Sequence, residues 1–225
     1  MIERLTGGRL ASGVFRSGNE VHRPRSDFAA SVLTLLESRG FRGAPRFLRR
    51  TGETDVLSFV PGHVPPRFRP WSDAQVGAAA LLLREMHDAT RGSDLAGRFD
   101  VVCHHDPGPN NAVFQHDVPV AFIDFDEAAP GSHLEDVGYL AWTWSISSRQ
   151  AMPLDHQARQ VRLIADAYGL DVSERHALVD CVLERQSRNV RFWTSRAAPA
   201  DRIEWSRREH AFVHLHRDVF DRELA

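Results

Sequence analysis

Lysine is absent from this 225-residue chain, and all 28 of its basic residues are arginine. Any contact to a phosphate must then come from a guanidinium, a backbone amide or a metal ion, because there is no ammonium to make it. A GC-rich coding bias explains the absence without any reference to function. An excess of one charge is also lacking. The formal net charge is −2, so bulk electrostatics give no ground for a nucleic-acid or membrane partner. Cysteine is scarce, and Cys103 and Cys181 lie far apart in apolar runs. That reads as two buried free thiols, which suits a reducing compartment. No run of about 18 apolar residues occurs, and Met1-Ile2-Glu3-Arg4 begins the chain without an apolar signal core. The expectation is a cytoplasmic protein with no nucleic-acid and no membrane partner, its assembly open up to a homodimer.

What is present begins with ordinary globular material. The apolar share is 42%, enough for a chain of this length to bury a sizeable core as one domain or two small lobes. Up to about residue 60 the texture is that of a small sheet with one helix. Short runs at Gly13-Val14-Phe15-Arg16 and Glu20-Val21-His22-Arg23 flank a turn signal, Ser17-Gly18-Asn19, and Pro24 ends the second run. Ser26 or Asp27 can cap a helix to about Arg39, closed by Gly40. Strand-like runs follow at 46–49 and 55–60, and the proline-rich stretch to Pro70 reads as a linker. Beyond it the periodicity predicts helices over 73–90, 134–147, 156–168, 173–195 and 200–220. A short strand at 101–103 and a hairpin around His116-Asp117 are expected among them. Residues 1–61 therefore form the expected small N-terminal lobe and 62–225 the helical C-terminal lobe.

The chemistry concentrates in His104-His105-Asp106-Pro107-Gly108-Pro109-Asn110-Asn111 and, soon after, Ile123-Asp124-Phe125-Asp126. Phosphoryl transfer to a hydroxyl needs one carboxylate to accept the hydroxyl proton, with an amide and a second carboxylate to hold magnesium against the phosphates. Asp106 is the candidate base, on a loop that Pro107, Gly108 and Pro109 keep irregular. Asn111 offers a neutral oxygen to the metal and Asp124 an anionic one. His104 reads as a brace for the loop. Asp126 is a further carboxylate facing the same region, toward substrate or a second ion. Each residue alone is equally ordinary turn chemistry, and His104, His105 and His116 together are also a transition-metal pattern. The joint spacing is what favours the magnesium reading.

The passage from Val102 to Trp142 resembles the aminoglycoside phosphotransferase family, which has the protein-kinase-like fold. Cys103 to Asn111 is similar to its catalytic loop and Ala121-Phe122-Ile123-Asp124-Phe125-Asp126 to its metal-binding segment. Leu134-Glu135-Asp136-Val137-Gly138-Tyr139-Leu140 is similar to the helix that follows. Some short relatives of this pattern are labelled trifolitoxin immunity proteins. The resemblance implies a two-lobe α+β fold and a phosphotransferase using ATP or GTP with Mg2+. The acceptor it implies is a small-molecule hydroxyl, aminoglycoside-like or another metabolite, with antibiotic resistance as one outcome. It implies that Asp136 braces the catalytic loop, and that the backbone at Ser58, Phe59 and Val60, within Leu57-Ser58-Phe59-Val60-Pro61-Gly62, receives the adenine.

The chain departs from the family in the small lobe. Where a strand lysine grips the α and β phosphates, Arg23 is the nearest cation, with Arg16 behind it, and Ala29 and Ala30 stand about where its helix glutamate would fall. The glycine loop is reduced to Gly7-Gly8 and Ser12-Gly13. Two readings of another class stay open. One is a non-catalytic binding or immunity protein that sequesters a toxin or small molecule. The other is a metal-dependent hydrolase built on His104, His105, Asp106 and Asp124. The aromatic residues Trp142, Trp144, Phe192, Trp193 and Trp205 read as core before acceptor pocket.

Overall fold

A computed structural model describes residues 2–5, 13–66, 69–149, 152–196 and 198–225. The glycine-loop residues Gly7, Gly8 and Ser12 lie outside them. The chain forms two compact units that do not follow a single cut in the sequence. One comprises Met1–Pro66 with Arg84–His133, the other Arg67–Leu83 with Leu134–Ala225.

The first unit holds strands β1 (Ile2–Arg4), β2 (Phe15–Ser17), β3 (Glu20–Pro24), β4 (Phe47–Thr51) and β5 (Thr54–Ser58), with helix α1 (Asp27–Ser38) between β3 and β4. They form one antiparallel sheet in the order β1-β2-β3-β5-β4. Gly18 at φ +62° turns β2 into β3, and the register pairs Phe15 with His22, whose rings stack 4.6 Å apart. Helix α1 buries Ala29, Ala30, Val32, Leu33 and Leu36. It ends in a Schellman arrangement: Gly40 is left-handed at φ +78°, and the Phe41 and Gly40 N–H groups donate to the carbonyls of Leu36 and Glu37. At its start the Ser26 side chain caps nothing. The Ser26 N–H instead donates to the Asp55 carboxylate at 2.9 Å.

Helix α2 (Asp73–Thr90) coincides with the expected span. After it come β6 (Val101–Cys103), β7 (Ala112–Gln115), β8 (Val118–Phe122) and β9 (Ala129–Gly131). β6 pairs with β9, and β7 with β8. His116 and Asp117 both have positive φ, 49° and 62°, the signature of a type I′ hairpin turn.

The second unit is helical: α3 (His133–Ser145), α4 (Leu154–Tyr168), α5 (Val172–Ser195), α6 (Ala200–Leu215) and α7 (Arg217–Leu224). Asp171 and Glu174 form a reciprocal capping box at the start of α5. The single helix expected over 200–220 is two. It breaks at His216 (φ −110°, ψ 20°), which turns α7 onto α4 and α5 and buries Phe220 and Leu224. Trp142, Trp144, Trp193 and Trp205 are all buried, Trp142 stacking on Trp205 at 5.3 Å, so these aromatics serve the core. Among the described residues no helix is long and apolar enough to cross a membrane.

Two expectations follow. A Cβ on Gly138 would lie 2.9 Å from the Cys181 carbonyl carbon, so α3 packs on α5 through backbone. Gly138→Ala should lower stability by about 1–3 kcal/mol, read as a lower urea midpoint at unchanged slope. In the sheet unit Asp55 is buried and takes hydrogen bonds from Ser26 N–H and the Arg50 guanidinium. Burial pushes its carboxyl up, but Arg50 and the Ser26 N–H outweigh burial and hold it below its ordinary value. A depressed carboxyl contributes stability above its unfolded value and loses it as pH falls toward the folded one. Acid titration should therefore show wild-type stability falling below about pH 4, with a shallower fall in Asp55→Asn.

Candidate active site

The motif lies entirely within the first unit. The chain leaves β6 at Cys103, passes His104 to Gly108 as irregular backbone, and makes a single 3-10 turn at Pro109–Asn111 before β7. The hairpin then returns it, and the Ile123 N–H donates to the Asn111 carbonyl at 2.8 Å. Asn111 and Asp124 thereby sit at the same open end of the hairpin. Asp124 is left-handed at φ 69° and His105 at φ 63°, conformations that cost a non-glycine residue about 1 kcal/mol or more and persist where the surroundings over-determine them.

His104 is fully buried and supplies much of that determination. Its Nδ1 accepts from the Asp106 N–H at 3.3 Å, which leaves Nε2 to donate to the Ile123 carbonyl at 3.0 Å. One ring thus ties the backbone of the loop after β6 to the end of β8, and both its nitrogens are engaged. His105 Nδ1 meets the Glu127 carbonyl at 3.0 Å. With both ring nitrogens engaged, His104 has no free lone pair for a metal ion, so it reads as a brace.

Asn111 Nδ2 donates to the Asp106 carboxylate at 2.8 Å and to the Asp106 carbonyl at 3.0 Å. A carboxylate accepts only, so these bonds fix which end of the amide is nitrogen and turn Oδ1 the other way. Arg23, 8% exposed, reaches from β3 to donate from Nη2 to Asp124 Oδ1 at 3.3 Å and to pair with Asp126 Oδ1. Its Nε is buried without a hydrogen-bond partner. Burial pushes the Asp126 carboxyl above its ordinary value. Arg23 works against that, and the neighbouring Asp124 adds to it.

A cavity of about 410 Å³ opens on this corner. Arg23, Asn111 and Asp124 line its polar end, and Ser58, Phe59 and Val60 line another part of its wall. The Arg16 guanidinium stacks over the Phe59 ring at 3.5 Å, and the Phe59 N–H donates to the Asn19 carbonyl. Gly62 at φ +140° brings the chain against β7, where a Cβ would lie 2.5 Å from the Phe114 carbonyl oxygen. His63 and Phe114 exchange both backbone hydrogen bonds beside it, at 3.1 and 2.8 Å.

Residues 27–178 match the Phosphotransferase enzyme family, APH. The chain belongs to that family. It is 29% identical to the trifolitoxin immunity protein of Rhizobium leguminosarum bv. trifolii, with 98% of each chain covered. Among solved structures it resembles a choline/ethanolamine kinase family protein from Mesorhizobium loti (TM-score 0.68, 16% identity, 100% of this chain and 91% of that one). It also resembles a streptomycin-ATP-APH(2")-IIa ternary complex (TM-score 0.56, 13% identity, 90% of each chain). These structural likenesses give the fold, which is α+β and protein-kinase-like.

The structure gathers most of the sequence-derived candidates. Asp106, Asn111, Asp124, Asp126, His104 and Arg23 are linked by direct contacts or a shared cavity, and Ser58, Phe59 and Val60 share that cavity. Asp136 is fully buried on α3. One contributor escaped the sequence reading. Asn110 lines the cavity, donates to Asn111 Oδ1 at 3.1 Å and keeps a buried Oδ1 without a partner. Its adjacency to Asn111 was the only available signal, and turn chemistry accounted for it equally well.

His104→Ala should cost about 1–3 kcal/mol, the scale of a buried hydrogen-bonded side chain whose partners are left unpaired. Thermal unfolding reads the loss, and faster amide exchange at Asp106 should accompany it.

Proposed function

We propose that this protein transfers the γ-phosphoryl group of ATP or GTP to a hydroxyl of a small molecule, using magnesium. The observation that carries the reading is that Asn111 and Asp124 line one cavity with Ser58, Phe59 and Val60, while the Asn111 amide holds the Asp106 carboxylate beside it. The donors there suit a hard cation. The Asn111 and Asp124 oxygens, with the unpartnered Asn110 Oδ1 beside them, form an all-oxygen set free of thiolate and imidazole. Asn111 and Asp124 would hold the ion, with Asp126 next to them. When bound, magnesium neutralises charge on the phosphate oxygens.

The protein groups then have separable tasks. Asp106, its carboxylate oriented by the Asn111 amide, positions the acceptor hydroxyl and takes its proton as the oxygen bonds to the γ-phosphorus. The bond from that phosphorus to the β–γ bridging oxygen breaks, and the nucleoside diphosphate leaves. Ser58 to Val60 receive the base, and Arg23 is the nearest cation for the phosphates. A nucleoside triphosphate donor agrees with a cytoplasmic setting, and an aminoglycoside-like polyol is one acceptor class among several.

A second reading keeps the fold and gives up turnover. In it the chain sequesters a toxin or small molecule, which the immunity name of its relative and the engagement of Arg23 with Asp124 and Asp126 favour. Two measurements separate the readings. Nucleotide diphosphate release should be followed with and without a panel of aminoglycosides and other polyols, in wild type and in Asp106→Ala. The substitution should lower turnover by about 10²- to 10⁴-fold and leave nucleotide affinity nearly unchanged. Equal rates in the two proteins would remove Asp106 from the chemistry. Calorimetry showing no ATP or GTP binding at millimolar concentration with magnesium would favour the binder.

A further inference from the structure

The two halves of a kinase-type site are charged oppositely, with carboxylates for the metal and a cation for the phosphates. In this chain they are bonded to each other. Arg23 is 101 residues from Asp124 in sequence, yet its Nη2 is shared between Asp124 Oδ1 and Asp126 Oδ1. No carboxylate on α1 is placed to hold it instead. Ala29 and Ala30 present buried methyl groups, and Asp27 is taken by Arg25 and Arg50. The strand cation is therefore tethered by the metal carboxylates themselves.

That arrangement excludes simultaneous use. A divalent cation on Asp124 would sit beside a guanidinium bonded to the same oxygen, and like charges at that separation repel strongly in a partly buried site. The guanidinium must leave for the ion to bind well. It is also incompletely satisfied where it is, because its Nε is buried and has no acceptor. A buried donor without a partner carries a desolvation cost. A phosphate in the same cavity offers oxygens to both Nε and Nη2 in the fork geometry that arginine prefers.

We propose that Arg23 is an internal counter-ion that competes with the divalent cation for Asp124 and Asp126, so that metal and nucleotide bind as a coupled pair. The proposal rests on the phosphotransferase reading for the identity of the ligands. Without nucleotide, Arg23 occupies the carboxylates and metal binds weakly. Nucleotide phosphate draws the guanidinium away and opens the carboxylates. By reciprocity, metal on the carboxylates releases Arg23 and tightens nucleotide binding by the same factor.

Manganese binding to the nucleotide-free protein tests this, with free Mn2+ followed by electron paramagnetic resonance. Arg23→Gln should bind Mn2+ at least about tenfold more tightly than wild type, the scale on which one close charge shifts a carboxylate's affinity for a cation. Arg23→Lys keeps the charge and should stay near wild type. With ADP added, wild-type Mn2+ affinity should rise by a larger factor than that of Arg23→Gln. Equal Mn2+ affinity of wild type and Arg23→Gln without nucleotide overturns the proposal, as does the absence of Mn2+ binding in both. If the glutamine variant does not fold, the arginine Nε–H resonances of the wild type serve in its place. The Arg23 signal, assigned by its loss in Arg23→Lys, should move downfield on magnesium saturation with ADP, because its Nε–H gains the phosphate acceptor it lacks without nucleotide. An Arg23 Nε–H resonance that does not move overturns the counter-ion. Failure here with Asp106-dependent turnover intact leaves the phosphotransferase reading standing. Release of Mn2+ binding by Arg23→Gln without turnover on any acceptor supports the counter-ion and counts against that reading.

Discussion

The candidate site depends on one backbone hydrogen bond, from Ile123 N–H to the Asn111 carbonyl. It closes the open end of a hairpin whose other end is a two-residue type I′ turn, and the two together fix the register. Register matters more here than in an ordinary hairpin. A one-residue slip would exchange the faces of every side chain on one strand. Asn111 and Asp124 flank the strands at that open end, so a slip would part the amide from the carboxylate that share the cavity. The His104 ring and the His63–Phe114 exchange hold the same hairpin from two further directions. That over-determination lets Asp124 keep a left-handed backbone.

The absence of lysine has a structural consequence that recurs across the chain. Among the described residues five arginines each serve two carboxylates, Arg25 joining Asp27 and Glu53 at the exposed start of α1. Arg23 joins Asp124 and Asp126, Arg50 joins Asp27 and Asp55, Arg188 joins Glu135 and Glu184, and Arg217 joins Asp180 and Asp221. A planar fork with several fixed donors can bridge in this way, and a single ammonium does so with less geometric definition. The exposed members contribute little to stability. The two that reach buried ground act differently. Arg50 fastens the start of α1 to β5 through Asp55, and Arg23 fastens β3 to the segment after β8.

Much of this was legible in the sequence. Helix α2, the His116-Asp117 turn and the closure of α1 at Gly40 follow from local signals that tertiary packing does not contradict. The spacing of His104, Asp106, Asn111 and Asp124 was readable for a related reason, since a loop, a hairpin and a loop bring them back within about 20 residues. Other features have no local signature. The break at His216 contains neither proline nor glycine, and it exists because Phe220 and Leu224 bury against α4 and α5. Glu209, on an otherwise charged helix, is fully buried because the Ser148 backbone and hydroxyl donate to it, and burial pushes its carboxyl up. The union of Arg23 with Asp124 and Asp126 spans a hundred residues. Sequence could nominate each partner and could not join them.

That union bears on how a kinase-like site tolerates losing its lysine and glutamate. In the family pattern a helix carboxylate neutralises the strand cation and the metal carboxylates are left to the ion. Here both groups draw on the same charges. Two carboxylates, Asp124 and Asp126, meet Arg23 directly, and Asp106 is joined to Asn111. Burial lifts Asp126 toward its neutral form, while Arg23 opposes that lift. The guanidinium thus bridges two neighbouring carboxylates and holds them close together. A lysine in its place would present one point charge and lose the Nε that a phosphate can use. A glutamate on α1 would compete for the guanidinium and leave Asp124 and Asp126 to repel each other. Buried alanines at positions 29 and 30 are therefore consistent with arginine at position 23: with no helix acid beside it, the strand cation pairs with Asp124 and Asp126 directly.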